Sequence, residues 1–90
     1  MKSVQNNEQL IYVQGRLGYN CQNDRYGLLC GDLWENDGFH CGECFEVLVD
    51  DTWVNTRIEM SFENQWYLVD TPYYGILEYV IARICRKSGE

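Results

Sequence analysis

This 90-residue sequence predicts an all-β fold, a small antiparallel barrel of about six strands. Three observations support that prediction. Short apolar segments alternate with a period of two, β-branched and aromatic residues are frequent within them, and no segment has a convincing helical period. Closure into a barrel would hide the edges of so small a sheet. The chain is 46% hydrophobic and 14% aromatic, which is enough for one core, so we expect a single domain over residues 1–90.

The N-terminal half contains two clear strand candidates. Residues 16–19 and 26–30 are separated by the polar turn N-C-Q-N-D and therefore predict a hairpin. The preceding residues 8–13 include the β-forming letters L-I-Y-V. They are interpreted as a strand, and they could also extend the strand that follows.

The C-terminal half predicts a second hairpin. Residues 45–49 alternate between apolar and more polar side chains, and residues 53–60 alternate in the same way. Asp50 and Asp51 lie between the two segments and supply a tight turn. Two further strands are predicted, at residues 66–69 and 77–84.

The charge distribution excludes some partners and suggests another. The formal net charge is −7, so phosphate backbones and anionic membrane surfaces should be repelled, and we expect no direct binding to nucleic acid or membrane. No Lys or Arg lies between Arg25 and Arg57, whereas half of the acidic residues do. Such a stretch is either a solvated acidic face or a docking surface for a basic protein that handles nucleic acids.

Five cysteines in a chain without an apparent export signal favour reduced thiols or metal ligands over disulfides, and we expect a cytoplasmic protein. Four of them have the spacing C-x8-C-x10-C-x2-C, which suggests a closed Zn²⁺ site. Gly42 would let the C-x-x-C turn curl around the ion. The predicted ligands are Cys21, Cys30, Cys41 and Cys44.

Cys21 is the difficult ligand of that set. In a regular hairpin Cys21 and Cys30 would lie roughly 13 Å apart, too far for one ion. The fourth ligand could instead be His40, Cys85 or water. Plain burial of the cysteines and disulfide pairing are the alternatives to zinc.

No catalytic constellation is evident in the sequence. His40 is the only histidine, and neighbouring side chains such as His40 and Cys41 point in different directions on extended chain. The acidic neighbours Glu43 and Glu46 disfavour redox chemistry at the C-x-x-C pair. We therefore expect a protein that is not an enzyme, and a thiol or metal-dependent enzyme is the weakest of the functional hypotheses.

The segment 32–39 is the predicted partner-binding loop because it mixes aromatic and acidic side chains. Acidic groups would steer a basic partner toward the loop, and an aromatic anchor would slow its dissociation. The residues predicted to contact the partner are Asp32, Trp34, Glu35, Asp37 and Phe39.

Three stretches carry a resemblance to a known family: GRLGYNCQNDRYGLLCGDLW, GFHCGECFEVLVDDTWVNTRIEM and WYLV. Over residues 15–84 the chain resembles an uncharacterised family of small domains of unknown function from Firmicutes, their phages and mobile elements. The resemblance implies an SH3-like barrel and an association with mobile elements, and it implies no reaction.

By analogy with other small acidic proteins of phages, the chain looks similar to inhibitors of CRISPR effectors. The resulting hypothesis is a zinc-binding, non-enzymatic protein that acts in the cytoplasm of a bacterial host. It would bind and inhibit a basic nucleic-acid-processing protein, most narrowly as an anti-CRISPR that blocks DNA binding by a type II Cas nuclease. The alternative is a structural or accessory interaction module of a mobile element.

Overall fold

The computed structural model describes residues 10–87 and confirms the all-β prediction. These residues form seven strands and no helix. None of them belongs to a helix that is long and apolar enough to cross a membrane. The strands are β1 (Leu10–Asn20), β2 (Arg25–Cys30), β3 (Leu33–Asn36), β4 (Cys44–Val49), β5 (Thr52–Met60), β6 (Trp66–Leu68) and β7 (Ile81–Lys87).

The strands form one antiparallel sheet with the order β3-β2-β1-β7-β4-β5-β6. The sheet is barrel-like because it curls around one core to which both halves of the chain contribute. The salt bridge between Arg86 of β7 and Glu35 of β3 joins two strands that are not neighbours in the sheet. The buried residues are Leu17, Tyr26, Leu28, Phe39, Phe45, Val47, Ile58, Leu68, Leu77, Val80 and Ala82.

Both predicted hairpins are present. In the first, β1 pairs with β2 up to Asn20 and Arg25, and residues 21–24 form the turn. In the second, β4 pairs with β5 up to Val49 and Thr52, which leaves a two-residue turn. Asp50 and Asp51 have φ angles of 49° and 66°. Positive φ at both positions matches the right-handed twist of the flanking strands, and aspartate tolerates this region better than most residues.

Residues 10–13 extend the strand that follows them, which was one of the two interpretations of residues 8–13, and they are the first part of the long strand β1. Glu8 and Gln9 lie outside the described residues. Two other parts of the chain differ from the prediction. The predicted loop 32–39 contains strand β3 at its centre. The predicted strand 77–84 begins only at Ile81, because residues 77–80 form a turn that buries two apolar side chains, Leu77 and Val80. Leu77 and Val80 are three positions apart, which is not the period of two that a strand requires, and Tyr79 is exposed.

Candidate functional site

The first candidate region is a groove of about 510 Å³ beside the edge strand β3. We call it the acidic groove. Three of the five residues predicted to contact a partner line it, and none of its described lining residues is a lysine or arginine. The lining residues are Trp34, Glu35, Asn36, Asp37, Gly38, His40 and Glu43.

The floor of the acidic groove is held in place by hydrogen bonds from the β1–β2 hairpin. The side-chain amides of Asn20 and Asn23 donate to the carbonyl of Asp37 at 3.0 and 2.9 Å. Arg25 Nη1 donates to the carbonyl of Phe39 at 3.1 Å. Arg25 forms none of the salt bridges of the described residues.

Trp34 is the aromatic side chain that the groove exposes, with 39% of its surface accessible. It lies on β3 opposite Leu29 of β2. A Cβ atom on Gly18 would lie 3.6 Å from Cη2 of Trp34 and 2.5 Å from Cδ1 of Leu29. The indole therefore lies within ordinary van der Waals distance of that position, and the closer neighbour there is the end of the Leu29 side chain.

The remaining predicted contacts divide into accessible and inaccessible residues. Asp32 and Asp37 are exposed. Glu35 is half-buried and forms a salt bridge with Arg86, so its charge is already compensated. Phe39 is 1% exposed and stacks on Phe45 with the ring centroids 4.4 Å apart. The prediction that Phe39 contacts a partner is therefore wrong: it is a core residue that anchors the end of the loop.

The second candidate region is a cleft of about 470 Å³ on the outer face of the sheet, which sequence reasoning missed. We call it the β4–β7 cleft. Its lining residues come from the two strands that name it, from β1 and β5, and from the segment after β6. They are Tyr12, Cys44, Phe45, Glu46, Asn55, Thr56, Arg57, Val69, Asp70, Arg83 and Cys85.

Arg83 is the best-fixed side chain of the β4–β7 cleft. Its Nη2 lies 2.6 Å from Oε1 of Glu46, and Nε donates to the same oxygen at 2.7 Å. Its Cζ lies 4.2 Å from the ring centroid of Tyr12 and 4.1 Å from that of Trp53. The positive charge of this guanidinium is therefore compensated within the protein, by one carboxylate and by two aromatic rings.

A second arginine, Arg57, connects the cleft to the C-x-x-C turn. Its Nε donates to Oε2 of Glu59 at 2.8 Å, and the thiol of Cys41 donates to Oε1 of Glu59 at 3.2 Å. The hydrogen bond from Arg57, followed by that from Cys41, holds the pKa of the Glu59 carboxyl below its ordinary value of 4.5. The same hydrogen bond raises the pKa of Arg57. Glu59 therefore joins Arg57 of the cleft to Cys41 of the C-x-x-C turn.

The comparison with known families decides where the chain belongs. A domain of unknown function, DUF5348, matches residues 15–84. The chain belongs to this family. A crystal structure of a protein from Ruminococcus gnavus, a target of the Northeast Structural Genomics Consortium, is similar to it, with 37% sequence identity and a TM-score of 0.66. The alignment covers 80% of this chain and 100% of that chain. No curated protein matches the chain.

The two candidate regions differ in whether all of their residues lie within the part of the chain that matches DUF5348. The acidic groove lies wholly within the residues that match DUF5348. The β4–β7 cleft extends beyond them, because Tyr12 and Cys85 lie outside residues 15–84. The groove can therefore be sought in other DUF5348 domains at matching positions, whereas the cleft includes residues of this chain's flanking segments.

The four cysteines predicted to bind zinc are not assembled in this DUF5348 domain. Cys21 lies in the β1–β2 turn, and Cys30 is at the opposite end of β2. The regular pairing of these strands keeps them apart, as the length of a hairpin requires. Among residues 10–87, no three His, Cys, Asp or Glu side chains are grouped so that they could hold a metal ion. The described residues do not fit a ready-formed four-cysteine site, and zinc binding stays a prediction.

The C-x-x-C turn itself has the geometry that the sequence suggested. Gly42 has a φ angle of 91°, a conformation that glycine adopts without strain. Its N–H donates to the carbonyl of Ile58 at 2.7 Å, and the N–H of His40 donates to Oε1 of Glu43 at 2.9 Å. The turn is thus ordered by backbone and carboxylate hydrogen bonds alone.

Proposed function

We propose that this DUF5348 domain is a non-enzymatic interaction module that binds a basic surface of a partner protein through the acidic groove. The observation that carries the proposal is the composition of the groove: the exposed Trp34 lies beside Asp37 and Glu43, and no described lining residue is a cation. An aromatic anchor with uncompensated carboxylates around it suits a partner that offers lysine or arginine side chains.

The distribution of salt bridges supports this choice of surface. The described residues form three salt bridges, and these use the carboxylates of Glu35, Glu46 and Glu59. The exposed carboxylates of Asp32 and Asp37 are not among them. A net charge of −7 adds long-range attraction toward a basic partner, which raises the association rate at low ionic strength.

The partner class proposed is a basic nucleic-acid-processing protein, whose phosphate-binding surface the carboxylates would occupy. Occupation of that surface would inhibit the partner, because acidic side chains and phosphates compete for the same cations. The narrowest form of the hypothesis, inhibition of a type II CRISPR nuclease by a protein of phage or mobile-element origin, stays a prediction.

The experiment compares two double variants that remove the same charge from different places. The groove variant, Asp32→Asn/Asp37→Asn, removes one carboxylate that lines the acidic groove, Asp37, and one just before β3, Asp32. The turn variant, Asp50→Asn/Asp51→Asn, changes the β4–β5 turn, where asparagine tolerates the positive φ angles. Binding to a purified guide-loaded type II CRISPR nuclease is measured by biolayer interferometry at two salt concentrations. The groove variant is expected to bind about tenfold more weakly, equivalent to about 1.4 kcal/mol. The turn variant is expected to bind nearly as well as the wild-type chain.

Three outcomes would change the proposal in different ways. Equal weakening by both double variants would mean that net charge, and not the groove, determines binding. Binding that leaves DNA binding by the nuclease intact would favour an accessory module that bridges partners. Failure to bind this nuclease would remove the narrowest hypothesis, and the same two variants would then be tested against other DNA-binding nucleases.

A further inference from the structure

The β4–β7 cleft contains two cysteines whose positions are set by the pairing of its strands. In the antiparallel register Glu46 lies opposite Arg83, and Val47 lies opposite Ala82. If this register were continued two residues past its last pair, it would bring Cys44 level with Cys85. Both cysteines are free and exposed, and both line the cleft.

The two cysteines lie on the same face of the sheet. Side chains alternate between the faces of a strand. Val47 and Ala82 are fully buried in the core, whereas Glu46 and Arg83 meet on the outer face at 2.6 Å. Cys44 and Cys85 are each two residues from a member of that ion pair, so they share its face. The ion pair shows that side chains of β4 and β7 reach each other across this part of the cleft.

We propose that Cys44 and Cys85 are a thiol pair that forms an intramolecular disulfide across the β4–β7 cleft when a low-molecular-weight disulfide, such as oxidised glutathione, oxidises them. Directly opposed residues in an antiparallel pair have Cβ atoms about 4.5–5.5 Å apart, and a disulfide needs about 3.5–4.5 Å. The β4–β7 register ends at Glu46 and Arg83. Beyond it, Cys44 pairs with Arg57 of β5 and Cys85 pairs with Tyr12 of β1, so β4 and β7 have to approach each other here for the disulfide to form.

The reaction proceeds by two thiol–disulfide exchanges. The Cys44 thiolate attacks one sulfur of oxidised glutathione, forms a mixed disulfide and releases one glutathione thiolate. The Cys85 thiolate then attacks the Cys44 sulfur and releases the second glutathione. Two protein thiols are oxidised and one glutathione disulfide is reduced to two thiols, so electrons and atoms balance.

Cys41 is the competing partner for Cys44, because the C-x-x-C spacing permits a local disulfide. The structure favours Cys85 over it. The thiol of Cys41 is engaged by the carboxylate of Glu59 at 3.2 Å, whereas the thiol of Cys44 makes only a 3.8 Å contact with the carbonyl of Gly42. The experiment therefore has to distinguish the two pairings.

Tryptic mapping distinguishes them because of where arginine occurs in the chain. Cleavage after Arg83 and Arg86 isolates Cys85 in the peptide 84–86, and cleavage after Arg25 and Arg57 places Cys30, Cys41 and Cys44 together in the peptide 26–57. The reduced full-length chain is treated with oxidised glutathione, alkylated, digested and analysed by mass spectrometry. We expect a disulfide between these two peptides in a monomeric product.

Single serine variants assign the sulfur atoms. The cross-link is expected to persist in Cys30→Ser and Cys41→Ser and to disappear in Cys44→Ser and Cys85→Ser. The far-ultraviolet circular dichroism of each variant is compared with that of the wild-type chain, so that loss of the cross-link is scored only in folded protein. A free peptide 84–86, glutathione adducts without a cross-link, or a cross-link that survives in Cys44→Ser would each overturn the proposal.

Discussion

The acidic groove and the β4–β7 cleft both contain acidic and aromatic side chains, but they differ in how far their charged groups are paired in salt bridges. In the cleft, Arg83 and Arg57 each form a salt bridge with a glutamate, and Arg83 also contacts two aromatic rings. In the groove, Trp34 and Asp37 face a cavity whose described lining residues include no cation. The arginines of the cleft are paired with glutamates of the same chain, whereas the carboxylate of Asp37 in the groove forms none of the salt bridges of the described residues and is available to another molecule.

This difference shows that the location of the few cations decides which acidic surface can bind a partner. The chain has 14 acidic and 7 basic residues, so at least half of the acidic side chains cannot each be paired with a cation of their own. The salt bridges of the described residues lie on β3, β4, β5 and β7. Only one of them, between Glu35 and Arg86, reaches the acidic groove, and it leaves Asp37 and Glu43 uncompensated by arginine.

The largest expected effect concerns Phe39, the aromatic residue that separates the groove from the core. Phe39→Ala removes a ring that is 1% exposed and should lower the free energy of unfolding by about 3–5 kcal/mol. Phe62→Ala makes the same chemical change at a fully exposed position and should alter it by less than about 0.5 kcal/mol. Urea unfolding followed by circular dichroism measures both variants. Similar small losses would contradict the anchoring role of Phe39 and reopen it as a surface contact.

A smaller effect is expected from Arg83→Met, which tests whether the charges of the cleft are structural. This change removes both hydrogen bonds to Glu46 and the contacts with Tyr12 and Trp53. The arginine and glutamate side chains are 24% and 23% exposed, so solvent replaces the interaction only in part. We expect a loss of about 1–3 kcal/mol in the free energy of unfolding by urea titration.

Arg57→Met is the matched control for that prediction. The side chain of Arg57 is 52% exposed, so water competes with its salt bridge and the loss should be clearly smaller. If both arginine variants lower the free energy of unfolding equally, the aromatic contacts and partial burial of Arg83 add no stability. The charged groups of the cleft would then be no better stabilised than those of an ordinary protein surface.

The sequence predicted the features that depend on neighbouring residues. Alternation on either side of Asp50 and Asp51 was sufficient for the β4–β5 hairpin, because turn chemistry and side-chain period are local properties. The spacing of Cys21 and Cys30 was likewise sufficient to predict their separation in a regular hairpin. The resemblance over residues 15–84 matches the family that the comparison shows.

The sequence could not predict contacts between distant strands. Phe39 lies in a polar segment, and its burial depends on stacking with Phe45 and on the hydrogen bond from its N–H to the carbonyl of Tyr26. The β4–β7 cleft requires the pairing of Glu46 with Arg83, which are 37 positions apart in the chain. No local signal fixes that register, so the thiol pair at Cys44 and Cys85 was also missed.

The smallest expected effect concerns Glu59, which accepts hydrogen bonds from Arg57 of the cleft and from Cys41 of the C-x-x-C turn. Because hydrogen bonds from Arg57 and Cys41 lower its pKa in the folded chain, its contribution to stability is present above the ordinary value of 4.5. That contribution is lost as the pH falls from 4.5 through the lowered value. In Glu59→Gln, the free energy of unfolding should therefore fall less steeply with decreasing pH below 4.5 than in the wild-type chain. Urea titrations at successive pH values measure this dependence.

Arg57→Met tests the cause of this pH dependence without removing the carboxylate. Without its main hydrogen-bond donor, Glu59 should have a pKa closer to 4.5 in the folded chain. The free energy of unfolding should then depend on pH nearly as weakly as in Glu59→Gln. The double variant should add little to either single variant, because both remove one interaction. If the free energy of unfolding falls equally with pH below 4.5 in the wild-type chain and in Glu59→Gln, solvent screens this exposed pair, and Glu59 does not electrostatically link the β4–β7 cleft to the C-x-x-C turn.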